Sequence, residues 1–492
     1  MSTVVTGCVA VFAAVVVWSA WHGYRRTSGS ADFFVAGRQA PWWLITGSLI
    51  ASTVSGATFF GLISSYYRMG FSVHWIPLGV AFSWLVICFA VGPRLRRYGR
   101  FTIPEYFAGR FNSPGLRVVF AGVTVLWMVF LLATVLVQGG LLFGSLWNWN
   151  YGTSVVVITA VVILYTFFGG QKAVLYTDFA QAAAFLIAVV VVVPTTIGAA
   201  GGWGEITSTV SADQPGFFGV TGGAVSVLNV MALFFVWFLG YLGHPGFLTR
   251  FYAARSERDV IKTGIAVSAV YLPFWALIGF AGAAMRKLYP NVADTETVWV
   301  RFVVEQTPSI IAGILFAAIL GAILSSADTW LLTAASSGTH DLLRKVSRTD
   351  WSDRQLLSRT KYVVVLLGLA ALPFGLWRPT YITEMMTIAY TIAGASGGVL
   401  ILFSLYWRRT TRQAAWTGLI FGAVSAVVGR VAQSAGLTPE WFDPILPTLL
   451  GTALLLVGVS LATPTDAAAT SAFDRLRTPQ PATTPTPSEE TA

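Results

Sequence analysis

Thirteen apolar runs of about 18 residues or more constrain this chain more than any other feature. They span roughly 4–22, 41–68, 71–92, 117–145, 152–168, 175–200, 223–244, 263–285, 308–338, 361–377, 380–406, 414–433 and 445–462. Runs of that length cross a bilayer as helices, because hydrocarbon leaves no partner for an unpaired backbone group. Composition agrees. Charged residues are 11% and hydrophobic residues 55%, against about 25% charged in soluble domains. The chain cannot cover a water-facing surface, and the expected class is an all-α polytopic membrane protein. The first run has neither a basic leader nor an A-x-A-like end, so it reads as a retained helix. Beyond Ala462 the composition turns to Thr, Pro and Ala. Residues 463–492 are expected to be a disordered tail.

A net charge of +10 raises nucleic acid as a partner, but the basic residues lie in short loops between the runs. With thirteen spans, the 31 Lys and Arg fall 25 to 6 on the two sides. The minority set is Arg68, Arg286, Lys287, Arg301, Arg378 and Arg430. Positive charge marks the cytoplasmic side, which predicts an N-terminus outside, a C-terminus inside and residence in the cell membrane. Cys8 and Cys88 both lie in apolar runs, which argues against a disulfide framework or a zinc cluster.

Two runs should not be continuous helices. The 28 residues of 41–68 would make a helix of about 42 Å against a hydrocarbon core of about 30 Å. The middle of that run, SLIASTVSGATFFG (Ser48 to Gly61), carries five hydroxyl residues and two glycines. One reading is a tilted helix packed through small residues. The other is a broken helix, tolerated where backbone lines a protein cavity. The second candidate is FFVWFLGYLGHPG (Phe234 to Gly246), interrupted by Gly240, Gly243 and Pro245. These are the second and seventh runs. Paired interruptions five helices apart point to two five-helix repeats, the second inverted, with the transport site between them. The predicted divisions are 1–40 (an extra helix and loop), 41–406 (the core, as repeats 41–200 and 223–406), 407–462 (two peripheral helices) and the tail.

Ionisable groups inside spans are functional candidates by default. Asp178 and Asp328 qualify as a possible second cation or proton site, and Glu384 lies nearer an outer end. Ser325 and Ser326 precede Asp328 in GAILSSADTW. They either give hard oxygen ligands to a small cation or bond back to the preceding turn.

Four segments resemble one family. LYTFFGGQKAVLYTDFAQ (Leu164 to Gln181) is similar to the GG-x-x-AV-x-x-TD-x-x-Q signature of the sodium:solute symporters. FTIPEYFAGRF (Phe101 to Phe111) is similar to their T-x-PEY-x-x-RF loop. FFVAGR (Phe33 to Arg38) resembles the segment before their first broken helix, and VWFLGYLGHPGFLTRF (Val236 to Phe251) resembles the sodium/proline branch. The resemblance runs in order over about residues 30–410. It implies a LeuT-type 5+5 inverted repeat. It also implies Na⁺ as coupling ion, held by carbonyls of Ala51, Val54 and Ala322 and hydroxyls of Ser325 and Ser326. The solute is expected beside the unwound Ser52, Thr53, Ser55 and Gly56, covered by Trp237 and Tyr241. Thr53 stands where sodium/proline symporters carry an acid, and Ser325 to Asp328 is similar to choline-transporting relatives. Amino acid, short carboxylate and quaternary amine all stay open as solute, as does coupling to protons.

The expected activity is symport of a small organic solute by alternating access, with the lipid bilayer as surroundings and no obligate protein partner evident. A membrane-embedded enzyme is the rival class. His22, His74, His244 and His340 form no H-E-x-x-H pair and no nucleophile elbow is present, so no catalytic residues are assigned.

Overall fold

A computed structural model describes residues 3–25, 36–98, 102–168, 171–223, 225–347 and 351–477. Phe33 to Val35, the Gly169–Gly170 pair and the tail beyond Arg477 lie outside the described residues. No strand occurs among the described residues; the one strand-like contact is an isolated bridge between Ala40 and Ala254.

Helix α1 is Thr3–Arg25. The first interrupted span is α2 (Trp42–Thr53) followed by α3 (Gly61–Met69). Next come α4 (Trp75–Val86), the loop helix α5 (Ile103–Phe111), α6 (Pro114–Trp147), α7 (Tyr151–Phe168), α8 (Gln171–Ala199) and α9 (Trp203–Asp213). The second interrupted span is α10 (Val227–Leu242) with α11 (Pro245–Ala253). The remainder are α12 (Glu257–Leu288), α13 (Val298–Gln306), α14 (Ser309–Ser336), α15 (Asp353–Trp377), α16 (Ile382–Ala393), α17 (Val399–Tyr406), α18 (Arg412–Ser434), α19 (Ile445–Ala462) and α20 (Ala467–Arg477).

Local sequence sets many boundaries. Ser226, Ser256 and Ser352 cap α10, α12 and α15 by accepting N–H bonds from Asn229, Asp259 and Gln355, which satisfies donors a helix start leaves open. Ser352 and Gln355 complete a reciprocal capping box.

Ten helical segments among the described residues are long and apolar enough to cross a membrane, or eleven with the bent α10/α11 pair. The sequence count of thirteen exceeds this for two reasons. The apolar part of α1 stops at Trp18. The 41–68 run breaks, so α2 has 12 residues and α3 only 9. After Met69 the chain turns at Gly70, whose φ of +61° suits glycine.

The interrupted spans lie among long continuous helices. α10 packs on α4, and α2 packs on α8, α12 and α14. Gly47 allows the close approach of α2 to α8: a Cβ there would stand 2.6 Å from the Phe179 ring. α1 rests on α8 and α14, and α18 pairs with α19.

Charged residues gather at the two ends of α12. At its C-terminal end Arg286 meets Asp213 at 2.6 Å and Lys287 meets Glu205 at 2.6 Å. The other minority-set residues are paired too: Arg68 with Glu384, Arg301 with Glu305, Arg378 with Asp294 and Glu296, and Arg430 with Asp443. Burial pushes the Glu296 carboxyl above the usual range, although the Ile382 N–H and Arg378 pull the other way. At the N-terminal end of α12, Arg97 holds Glu257 at 2.8 Å.

The expected disorder from residue 463 does not extend over α20. Asp466 accepts the Ala468 N–H, and Phe473 and Leu476 are buried. Ala469, Ala472, Phe473 and Leu476 share one apolar helical face, which docks on α5 and on the chain just after α4. The buried Arg110 donates to Ala469 O at 2.8 Å and to Ser404 O at 2.9 Å, and Arg97 donates to Leu476 O at 2.9 Å.

Candidate functional site

Two hydroxyls of the last turn of α2 bond back to that helix just before it breaks. Ser52 Oγ donates to Ser48 O at 2.8 Å and Thr53 Oγ1 to Leu49 O at 2.6 Å, contacts that compete with the backbone ladder. Val54 leaves helical geometry at φ −86°, ψ 83°. Ser55 then caps a short turn over Gly56–Thr58 by accepting the Ala57 N–H at 3.1 Å. Gly56 has no room for a side chain: a Cβ would lie 2.6 Å from both Gln138 Oε1 and Ile323. Gln138 is fully buried on α6. Neither of its amide atoms has a hydrogen-bond partner among the described residues.

Helix α14 runs against this break. Ser325 Oγ lies 2.9 Å from Ala51 O and 3.1 Å from Ala322 O. Three of the five predicted cation ligands thus share one hydroxyl contact. Ser326 is fully buried and its hydroxyl has no partner among the described residues. Val54 sits at the C-cap of α2. The donor set is neutral carbonyl and hydroxyl oxygen, which fits a hard monovalent cation.

Beside it lies an ion pair that sequence reasoning missed. By sequence Arg250 falls among the basic residues that follow an apolar run and read as loop. Here it is 1% exposed and meets the fully buried Asp178 at 3.2 Å. Its Nε donates to Ser48 Oγ at 2.7 Å, and Ser48 donates on to Asp178 Oδ2 at 2.5 Å. Nη2 also donates to Ser52 Oγ at 2.6 Å and Thr329 Oγ1 at 2.7 Å, and Nη1 to Gly246 O at 2.7 Å. One guanidinium therefore joins α2, α8, α11 and α14. Its planar fork of five donors suits such a junction better than an ammonium. The available signal was an arginine inside the apolar segment FLTRFYA. Asp328 is also fully buried, with Oδ1 3.4 Å from Thr329 Oγ1.

A small cavity lies on the other side of the break, lined by Thr53, Ser55, Thr58, Trp237, Tyr241 and Trp275 among others. Four of the six predicted solute residues line it. Ser52 does not, because its hydroxyl is taken by Arg250; Gly56 faces Gln138 instead. The second break bends by 40° between Leu242 and Pro245. Tyr390 of α16 stacks near it, 4.8 Å from Trp237 and 5.0 Å from Tyr241 between ring centroids. Trp275, Thr383, Gln138 and Tyr390 were not foreseen as neighbours of this site. Gln138 had one local signal, a lone amide inside a long apolar run.

Two interrupted helices meeting at a small cavity, with uncharged oxygens on one flank, define a secondary transporter of the LeuT type. A family profile described as sodium:solute symporter family matches residues 33–422, and the chain belongs to that family. It is 30% identical over 456 residues to the high-affinity proline transporter PutP of Bacillus subtilis, covering 90% of this chain and 95% of that one. It is also 30% identical to the sodium/proline symporter of Staphylococcus aureus, over 85% of this chain and 84% of the other. Among solved structures, a Na⁺-coupled sialic acid symporter in a substrate-bound outward-open state shares the fold at TM-score 0.81, 18% identity and 94% and 98% coverage. Mhp1 in a closed conformation with bromovinylhydantoin bound is similar at TM-score 0.59, 14% identity and 90% and 98% coverage. The protein is a multi-pass Na⁺-coupled symporter of a small solute, not an enzyme.

Proposed function

We propose that the coupling Na⁺ binds between the carbonyls of Ala51, Val54 and Ala322 and the hydroxyls of Ser325 and Ser326. In this reading the solute, an amino acid such as proline or a short carboxylate, occupies the cavity at Thr53, Ser55, Trp237 and Tyr241. The observation that carries it is the Ser325–Ala51 contact, which spans the first break next to the cavity. An ion shared by α2 and α14 favours the conformation in which those helices are close, and solute entering beside Ser55 meets the same break. Coupling requires that ion and solute both bind better to the same state than to the other. One charge crossing 100 mV contributes about 2.3 kcal/mol and a tenfold Na⁺ gradient about 1.4 kcal/mol. Together they support roughly 500-fold accumulation per ion.

Asp178 already serves Arg250, so a second cation there competes with an internal one. Asp328 is the remaining buried acid near the ion site. The 25-to-6 distribution of basic residues supports an N-terminus outside and a C-terminus inside the cell membrane. Uptake into proteoliposomes with and without a Na⁺ gradient, across amino acids, short carboxylates and choline, tests the reading. Solute entry that ignores Na⁺ and collapses with a proton uncoupler refutes it.

A further inference from the structure

We propose that Trp237 and Trp275 form a two-donor clip for a carboxylate, so that the solute is a small carboxylate-bearing molecule and not a permanent cation. This rests on the placement of solute in the cavity beside the first break. The two indoles come from different helices, α10 and α12, and both line that cavity. Each Nε1 is buried and has no hydrogen-bond partner among the described residues. An indole nitrogen only donates, and a buried donor left unpaired is costly. Two such donors on one small cavity ask for an acceptor with two oxygens. The hydroxyls of Thr58 and Thr383, also on the cavity wall, are buried and partnerless in the same way.

Neighbouring rings hold the donors in place. Trp237 packs 4.8 Å from Tyr390, and Trp275 packs 5.3 Å from Tyr271. Both rings are thus packed before solute arrives, which limits the ordering cost of binding.

Charge points the same way. None of the cavity-lining residues is ionisable to a carboxylate or a cation at neutral pH. Asp178 is matched by Arg250. The coupling ion brings one positive charge to the break. A carboxylate beside it offsets that charge in a medium where opposite charges attract strongly. A quaternary amine would add a second positive charge with no acid on the cavity wall to balance it, and would leave both indole donors without an acceptor.

The test uses the full-length protein in proteoliposomes under a Na⁺ gradient, with propionate, lactate, proline and choline as probes. Trp237→Phe and Trp275→Phe keep the ring and remove the donor. The expected result is uptake of at least one carboxylate, with each variant raising its KM about tenfold, equivalent to about 1.4 kcal/mol, and leaving the Na⁺ concentration for half-maximal rate unchanged. Thermal stabilisation of the detergent-solubilised protein by the same probes gives a second readout that does not need transport. There, carboxylates should stabilise the parent and lose that effect in the variants. Choline as the preferred solute overturns the proposal, as does a carboxylate whose KM and stabilising effect survive both substitutions, or a failure of every carboxylate in both assays. Carboxylate uptake that depends on the two tryptophans but not on Na⁺ upholds the clip and refutes the coupling instead.

Discussion

The Ser325 hydroxyl donates to the Ala51 carbonyl oxygen at 2.9 Å, tying the middle of α14 to the last turn of α2. A hydroxyl and a carbonyl that already touch need only small shifts to share one cation. Ser325→Ala and Ser326→Ala should each raise the Na⁺ concentration for half-maximal uptake about tenfold, equivalent to about 1.4 kcal/mol. The solute KM at saturating Na⁺ should change far less. Sodium titration of initial uptake rates checks this, and equal effects on both parameters would place the ion elsewhere.

Arg250 and Asp178 should behave as a unit. Asp178→Asn leaves a buried guanidinium without its counter-charge, a loss of about 3–5 kcal/mol for a buried pair broken on one side. The expected outcome is a marked drop in folded yield and in the thermal midpoint. Asp178→Asn combined with Arg250→Gln should recover part of it. A double variant as poor as the sum of the two singles would deny the coupling.

Tyr241 lies on the cavity wall and packs on Trp237 and Tyr390. Tyr241→Ala should raise the solute KM about tenfold with yield preserved. An unchanged KM with lowered yield would make Tyr241 a packing residue only.

Truncation after Asp466 should not be neutral. It removes α20, exposes Arg110 and loses the burial of Phe473 and Leu476. Two large apolar side chains at the low end of the usual range come to about 3 kcal/mol. The thermal midpoint should fall, whereas truncation after Arg477 should leave it unchanged.

Orientation is open to direct labelling. Single cysteines near residue 3 and near residue 480 should react with an impermeant thiol reagent from opposite sides of the membrane. Labelling of both from one side would contradict the basic-residue split.

Much of the architecture was legible because its causes are local. Apolar runs report membrane helices, since burial in lipid depends on each segment's own side chains. The two breaks were legible for the same reason: the hydroxyls from Ser48 to Thr58 and the Gly243–Pro245 pair disturb their own backbone. Ala51, Ala322 and Ser325 entered through resemblance, and the fold brought them into contact. The depth of Arg250 was not legible. A positive charge near a helix end reads as a loop residue until α8 supplies Asp178 and α2 supplies Ser48 and Ser52. Thr53 and Ser52 are neighbours with the same chemistry, yet one lines the cavity and the other serves the ion pair, according to which helix each faces. Trp275 was one tryptophan among 19, and only the packing of α12 set it on the cavity wall. The order at Ala467–Arg477 likewise came from α5, whose Arg110 needs the Ala469 carbonyl. Sequence alone determined which segments are long apolar helices and where two of them break, because those are properties of one stretch of chain. Which polar groups meet was decided by tertiary structure, because a buried charge or donor acquires its role from partners far along the chain, as Arg250 and Ser48 do at a separation of 202.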